Sequence, residues 1–110
     1  MLTDTLKNSL IDKVQATNKV DKIILFGSQA TRTAGSDSDI DLLVVLDDNT
    51  MPKNFHDRNN NYLQISRAIR EIEKQYPVDL LVYTRPEFEL MKEKNSQFFR
   101  RVLREGIELI

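Results

Sequence analysis

A short apolar segment that carries two carboxylates is the feature that most constrains the fold of this chain. Residues 39–46 read Asp-Ile-Asp-Leu-Leu-Val-Val-Leu. A run of branched and aliphatic residues of this length predicts a β-strand. Side chains two positions apart on a strand point to the same side, so Asp39 and Asp41 are predicted to be neighbours, while Ile40 and Leu42 point into the core.

Two neighbouring carboxylates at the start of a strand need a compensating group. At a separation of roughly 6–7 Å and an effective dielectric of about 20, two like charges repel by roughly 2–3 kcal/mol. A hard cation bound between them reverses the sign of that interaction. Magnesium suits such a pair, because it takes one or two carboxylates together with phosphate oxygens and water. The spacing of the two acids therefore predicts a divalent cation site.

The size and composition of the chain exclude several classes of protein. With 110 residues, we expect one domain spanning residues 1–110 and no separate substrate domain. The net charge of -1 argues against nucleic acid as the main partner. There is no cysteine, and His56 is the only histidine, so thiolate and multi-histidine metal sites are excluded. No apolar segment approaches about 20 residues, which predicts a soluble cytoplasmic protein with no membrane partner.

The apolar periodicity predicts helices that alternate with short strands. Strands are expected at residues 20–26, 39–46 and 78–83. Helices are expected at residues 4–18 with Thr3 or Asp4 as the cap, at 57–75, from Pro86 to about 94, and between a Ser96 cap and Gly106, with both Phe98 and Phe99 in the core. This pattern predicts an α/β (α+β) fold in which a small mixed sheet carries a helical layer on one face.

A third acid interrupts another predicted strand. Asp79 lies within the apolar run 78–83, and strands avoid burying a carboxylate unless something compensates its charge. If the two acidic strands are neighbours, Asp39, Asp41 and Asp79 meet at one edge and can hold one or two divalent ions, an arrangement used for phosphoryl and nucleotidyl transfer. Asp79 would then orient or deprotonate the attacking hydroxyl.

A glycine and a serine end the first predicted strand. Gly27-Ser28 follows residues 20–26 directly, and a short helix is expected to start at Ser28. Such a turn leaves backbone N–H groups and a hydroxyl facing a phosphate, and glycine lets a ligand approach the backbone closely. Arg32 is a candidate to reach the same phosphates. These residues form the predicted anion-binding side of the site.

Two motifs together resemble the signature of the DNA polymerase beta-type nucleotidyltransferase superfamily. They are Phe26-Gly27-Ser28-Gln29-Ala30 and Ser38-Asp39-Ile40-Asp41-Leu42-Leu43-Val44. Val78-Asp79-Leu80-Leu81-Val82 is similar to the segment that holds the family's third acid, and Arg104-Glu105-Gly106 is similar to the family's ending. The short chain resembles the minimal nucleotidyltransferase (MNT) branch of that superfamily.

The resemblance implies a polymerase beta-like fold and transfer of a nucleoside monophosphate from a nucleoside triphosphate, with release of pyrophosphate. By this analogy Asp39, Asp41 and Asp79 form a catalytic triad that binds Mg²⁺, with two ions expected, and Gly27 and Ser28 contact the triphosphate of ATP.

The segment after Gly27-Ser28 departs from the family's pattern. Many relatives continue with a small residue, a basic residue and glycine, whereas here Ala30 is followed by Thr31 and Arg32. The basic group is shifted by one position and the glycine is missing. The phosphate-binding role of Arg32 is therefore the least supported of the predicted contacts.

The resemblance also implies a partner. Minimal members of the family are often paired with a small all-helical HEPN protein, and there they resemble the antitoxin of a toxin–antitoxin pair that adenylylates a toxin hydroxyl, commonly that of a tyrosine. A HEPN-like toxin in a hetero-oligomer is therefore the expected partner. Two alternatives stay open: transfer to a small molecule such as an aminoglycoside, and a non-catalytic antitoxin that masks its partner.

Simpler interpretations exist for several of these residues. Asp39 can belong to a solvated turn, Asp79 can be a strand-entry residue after Pro77, and Ser28 can be a helix cap. His56 is expected to be an exposed residue without a catalytic role. The basic residues of the last helix are expected to form a solvated face, with contact to an acidic partner or RNA as the alternative: Arg100, Arg101 and Arg104.

Overall fold

The structure, a computed structural model, describes residues 2–17, 19–31 and 39–110. The elements in chain order are α1 (Asp4–Gln15), β1 (Val20–Phe26), α2 (Ser28–Thr31), β2 (Ile40–Leu46), α3 (Phe55–Ala68), α4 (Arg70–Glu73), β3 (Val78–Thr84), α5 (Arg85–Lys94), α6 (Gln97–Glu105) and β4 (Ile107–Glu108).

The strands form one mixed sheet with the order β3-β2-β1-β4. β2 and β3 are parallel, whereas β1 is antiparallel to both β2 and β4. The predicted mixed α/β sheet flanked by helices is thus confirmed. β4 was not predicted, because two residues are too few to show an alternating pattern; it pairs Ile107 with Leu25 and Glu108 with Ile24.

Helices cover both faces of the sheet, so the prediction of a helical layer on one face is wrong. The face that includes Ile40, Leu42 and Val44 packs with buried residues of α1, α3 and α4. The opposite face, with Leu43 and Val45, packs with buried residues of α5 and α6. The physical reason is that the central strand β2 is apolar on both sides beyond Asp41, and each apolar face needs its own cover.

The long predicted helix at residues 57–75 is two helices. α3 begins earlier, at Phe55, after an Asn54 cap whose side chain accepts a hydrogen bond of 2.9 Å from the Asp57 N–H. Ile69 interrupts the helix with φ -107° and ψ 16° before α4 begins. The apolar spacing continues through Ile69 without a change, and for that reason the sequence showed no break.

The other helix ends follow their predicted caps, with small shifts. Thr3 accepts a hydrogen bond of 3.2 Å from the Leu6 N–H, and Ser96 accepts one of 3.1 Å from the Phe99 N–H. α1 ends at Gln15, before the predicted residue 18, which lies outside the described residues. α5 begins one residue before Pro86. Within the described ranges, no helix combines the length and the apolar character that crossing a membrane requires.

Candidate functional site

Two of the predicted acids lie side by side on the central strands. β2 and β3 are parallel with Asp41 in register with Asp79, and a side-chain hydrogen bond joins the two carboxyl groups. Alternation along β2 puts Asp41 on the same face as the buried Leu43 and Val45, which is the face that α5 and α6 cover. The expectation that the acidic strands are neighbours therefore holds.

The electrostatic environment of Asp41 is unusual for a carboxyl group. Its pKa is raised from 3.8 to about 6, first by burial, then by the hydrogen bond with Asp79, and then by the negative charges of Asp79 and Asp39. Each cause disfavours the charged form. A site of this kind favours a proton or a cation between its carboxylates.

The donor set fits a hard cation, although it is not a closed metal cage. Asp39 directly precedes β2 and is exposed, as is Asp79 on β3, whereas Asp41 is half-buried. Across residues 2–17, 19–31 and 39–110, no three His, Cys, Asp or Glu side chains are grouped closely enough to hold a metal ion by themselves. Magnesium typically needs only one or two protein carboxylates, because phosphate and water supply its other ligands.

Gly27 lies against the carboxylate of Asp41. It follows β1 directly, and its φ of 70° falls in the left-handed region. A Cβ at this position would collide with Asp41 Oδ2. Both facts favour glycine: other residues adopt this backbone conformation at a cost, and no other side chain leaves the carboxylate in place.

Of the remaining predicted phosphate contacts, Ser28 directly follows this glycine. Ser28 is the first residue of α2. Arg32 lies outside the described residues.

Asp47 and Asp48 follow the other end of β2 from Asp39, as expected. There Arg85 Nη1 lies 2.6 Å from Asp47 Oδ1, and the Arg85 side chain also pairs with Asp21 at 3.5 Å.

A cavity opens beside Asp41, between the sheet and α6. Its volume is about 420 Å³, and the residues around it are Phe26, Gly27, Asp41, Gln97, Phe98, Arg101, Val102 and Glu105. This volume lies within the usual range for small-ligand sites, roughly 300–1,000 Å³. The cavity thus joins the predicted anion-binding glycine and one predicted metal ligand to a helix that was not assigned to the site.

The contribution of α6 was missed in the sequence, although a signal for it exists. Gln97, Arg101 and Glu105 are spaced four residues apart, so they lie along one side of the helix. Phe98 was expected in the core, but 52% of its surface is exposed, and its ring meets Phe26 edge-on with centroids 5.9 Å apart. Phe98 is therefore a wall of the cavity.

The fold has close counterparts among solved structures. A toxin-antitoxin crystal structure with AMP-PNP has a TM-score of 0.59 and 20% identity, and the match covers 94% of this chain and 72% of that chain. A structure of the toxin-antitoxin MntA-HpeT, in mutant form, has a TM-score of 0.56 and 18% identity, with coverages of 94% and 71%. A Sulfolobus solfataricus protein described as a candidate nucleotidyltransferase has a TM-score of 0.57 and 20% identity, with coverages of 93% and 73%.

These structural similarities establish the fold, whereas the family is established by a match of the sequence to a family model. No curated protein sequence matches the chain at a significant level. The family described as "Polymerase beta, Nucleotidyltransferase" matches residues 8–110, which include the glycine turn, the three acids and α6. This match covers nearly the whole chain, and the protein is therefore a member of the polymerase beta nucleotidyltransferase family.

Proposed function

We propose that this protein is a magnesium-dependent nucleotidyltransferase that transfers AMP from ATP to a hydroxyl group of a partner protein, with residues 1–110 as the catalytic domain. The observation that carries this proposal is the Asp41–Asp79 carboxyl pair, which lies beside Gly27 at a cavity of ligand size. Family membership supplies the reaction class. The nucleotide, the metal and the acceptor are proposed from the chemistry of the site.

The three carboxylates have different roles in the proposed mechanism. Asp39, Asp41 and Asp79 would hold one or two Mg²⁺ ions, which would supply the positive charge that a triphosphate and three carboxylates need in order to approach each other. Asp79 is more exposed than Asp41. We therefore assign Asp79 the further task of orienting the acceptor hydroxyl and accepting its proton.

The reaction forms one phosphorus–oxygen bond and breaks another. The acceptor oxygen attacks the α-phosphorus of ATP, the bond between that phosphorus and the α–β bridging oxygen breaks, and pyrophosphate leaves. Gly27 and Ser28 would position the triphosphate, and Arg32 is kept as a further contact. The contact of Gly27 with Asp41 supports this arrangement, because a triphosphate held at this turn would lie beside a carboxylate that is proposed to hold Mg²⁺.

A protein acceptor is supported by two observations. Two of the solved structures with this fold are toxin-antitoxin proteins, one of them with AMP-PNP. In addition, α6 and β4 expose large apolar side chains, of which Phe98 lines the cavity, while Leu103 and Ile107 are exposed elsewhere on the surface. Exposed apolar surface of this kind is common at protein–protein contacts. We therefore propose an antitoxin whose substrate and partner is a HEPN-like toxin.

Mass spectrometry of the protein encoded beside this one tests the proposal. After incubation with this chain, ATP and MgCl₂, the partner is expected to gain the mass of one AMP, and EDTA is expected to prevent the gain. Changing Asp39 and Asp41 together to Asn should abolish it. The matched control changes Asp47 and Asp48 to Asn, which removes the same charge at the other end of β2.

The outcomes separate the remaining candidates. Labelling that persists in the Asp39 and Asp41 double variant would overturn the mechanism. Pyrophosphate release that depends on an added aminoglycoside and not on the partner would favour a small-molecule nucleotidyltransferase. Neutralisation of the toxin in cells by a variant that lacks all three acids would favour a non-catalytic antitoxin that masks its partner.

A further inference from the structure

The side of the cavity formed by α6 includes a positively charged side chain that has no role in the proposed mechanism. Arg101 lies on this side, and Gly27 and Asp41 line the same cavity from the sheet. It is the one positively charged side chain among the described residues that line the cavity. The side chain is 69% exposed, so it is not held in place by packing.

The charge balance of the site calls for such a cation. Asp41 and Glu105 line the cavity, and Asp79 and Asp39 act on Asp41 from close by. A nucleoside triphosphate adds further negative charge to a region that already carries several carboxylates. Guanidinium groups bind phosphate oxygens through two parallel N–H donors, and such charge-assisted hydrogen bonds are the strong ones.

The present partner of Arg101 is one that a phosphate can replace. Arg101 Nη2 lies 3.5 Å from Glu105 Oε2, and Arg104 Nη2 lies 3.5 Å from the other oxygen, Oε1, of the same carboxylate. Arg101 and Glu105 are one helical turn apart at the surface of α6, where ion pairs are weak. Glu105 also has Arg104 as a second partner, so it stays paired when Arg101 moves to another anion.

We propose that Arg101 binds the phosphate groups of the nucleotide and that Glu105 competes with those phosphates for its guanidinium group. The inference rests on the proposed function in taking a nucleoside triphosphate as the ligand. It adds a phosphate-binding residue from α6 to the predicted phosphate contacts at Gly27 and Ser28.

The test compares nucleotide affinity between two neighbouring arginines. Arg101→Gln is expected to weaken the binding of ATP with MgCl₂ by about 10- to 100-fold, as expected for a lost charge-assisted hydrogen bond. Arg100→Gln removes the same charge from the same helix, and Arg100 does not line the cavity. It is expected to change the affinity less than 3-fold. Circular dichroism and thermal melting verify that both variants fold.

A second ligand shows which part of the nucleotide Arg101 contacts. Inorganic tripolyphosphate has neither base nor ribose, so its affinity should fall by a similar factor in Arg101→Gln. Weakened ATP binding with unchanged tripolyphosphate binding would overturn the assignment to phosphate. Arg101→Lys should retain part of the affinity, because it keeps the charge and loses the paired donors.

A double-mutant cycle tests the role of Glu105. Glu105→Gln is expected to strengthen ATP binding about 2- to 5-fold in the wild-type background and to have little effect when Arg101 is already Gln. A gain that persists without Arg101 would show that Glu105 acts only by repelling the nucleotide, which contradicts the competition.

The outcomes also distinguish this inference from the proposed function. If the wild type binds ATP and the two arginine variants bind it equally well, Arg101 has no role and the proposed function stands. If the wild type binds neither ATP nor tripolyphosphate, both ideas are wrong.

Discussion

Gly27 packs directly against the carboxylate of Asp41, so that a Cβ on Gly27 would collide with Asp41 Oδ2. The two residues come from different strands, and Phe26, the residue before Gly27, pairs with Asp41 across the antiparallel β1–β2 ladder. The conformation of the glycine turn and the orientation of a proposed metal ligand are therefore coupled. A change in one is felt directly by the other.

Replacing Gly27 with alanine is expected to damage the site more than the fold. The added methyl group must displace the Asp41 carboxylate, and the φ of 70° costs a non-glycine residue about 1 kcal/mol. We expect a loss of stability of about 1–2 kcal/mol and a loss of nucleotidyl transfer of at least 100-fold. Urea denaturation and the AMP-transfer assay measure the two effects. A variant that keeps near-wild-type activity would disprove the coupling.

Replacing Asp41 with asparagine is expected to stabilise the protein at neutral pH while abolishing activity. The pKa of Asp41 is about 6 in the folded protein and 3.8 ordinarily, so between these values the folded state binds more protons than the unfolded state. The contribution of Asp41 to the stability of the wild type should therefore fall as the pH rises from about 4 to 6. After allowance for solvent screening, we expect the variant to be about 1 kcal/mol more stable than wild type at pH 7.5.

Unfolding experiments with EDTA at pH 4 and pH 7.5 measure this difference, which should be small at the lower pH. Asp12→Asn provides a control, because Asp12 is an exposed carboxylate on α1, away from the site. MgCl₂ should stabilise the wild type and not the Asp41 variant. An Asp41 variant that is less stable than wild type at pH 7.5 would contradict the charge argument.

Two adjacent phenylalanines of α6 are expected to contribute very different amounts to stability. Phe99 is 1% exposed and its ring lies 5.6 Å from that of Phe88, so Phe99→Ala should cost about 3–4 kcal/mol of stability. Phe98 is half exposed, and Phe98→Ala should cost about 1 kcal/mol or less. Urea denaturation of both variants provides the comparison, and similar losses would show that Phe98 is a core residue after all.

Gly106 has a packing role that its ordinary backbone conformation does not reveal. A Cβ there would collide with the Val102 carbonyl oxygen and lie 2.8 Å from Ile24 Cγ2. Gly106→Ala should therefore push the end of α6 away from β1, at a cost of about 1–3 kcal/mol. Hydrogen exchange at the Leu109 N–H, which donates to the Ile23 carbonyl at 2.7 Å, should speed up in this variant. Unchanged exchange and stability would refute the argument.

The parts of the fold that the sequence predicted are those with a local signal. β1 lies at residues 20–26 as predicted, because its branched residues stand between polar residues and Gly27. Asp41 and Asp79 could be placed together because a carboxylate within an apolar strand is costly, and a shared site is a common solution. Thr3 and Ser96 had the right chemistry and position to be caps.

The parts that were missed depend on contacts between distant segments. Nothing in residues 107–108 indicates a strand until β1 offers an edge to pair with. The interruption at Ile69 leaves the apolar spacing intact. Phe98 and Phe99 have the same side chain, and only the direction of each one relative to the sheet decides which is buried. The role of α6 as a cavity wall follows from the packing of that helix over Gly27 and Asp41.

The in-register pairing of Asp41 with Asp79 makes the spacing of these two residues depend on the sheet backbone. The separation of their backbone positions is set by the hydrogen bonds between parallel strands, which lie about 4.8 Å apart. Loops and outer helices other than the Gly27 turn can therefore change in sequence, length and partner without altering the distance between the two backbone positions. A chemistry based on that distance can be retained while the identity of the acceptor diverges.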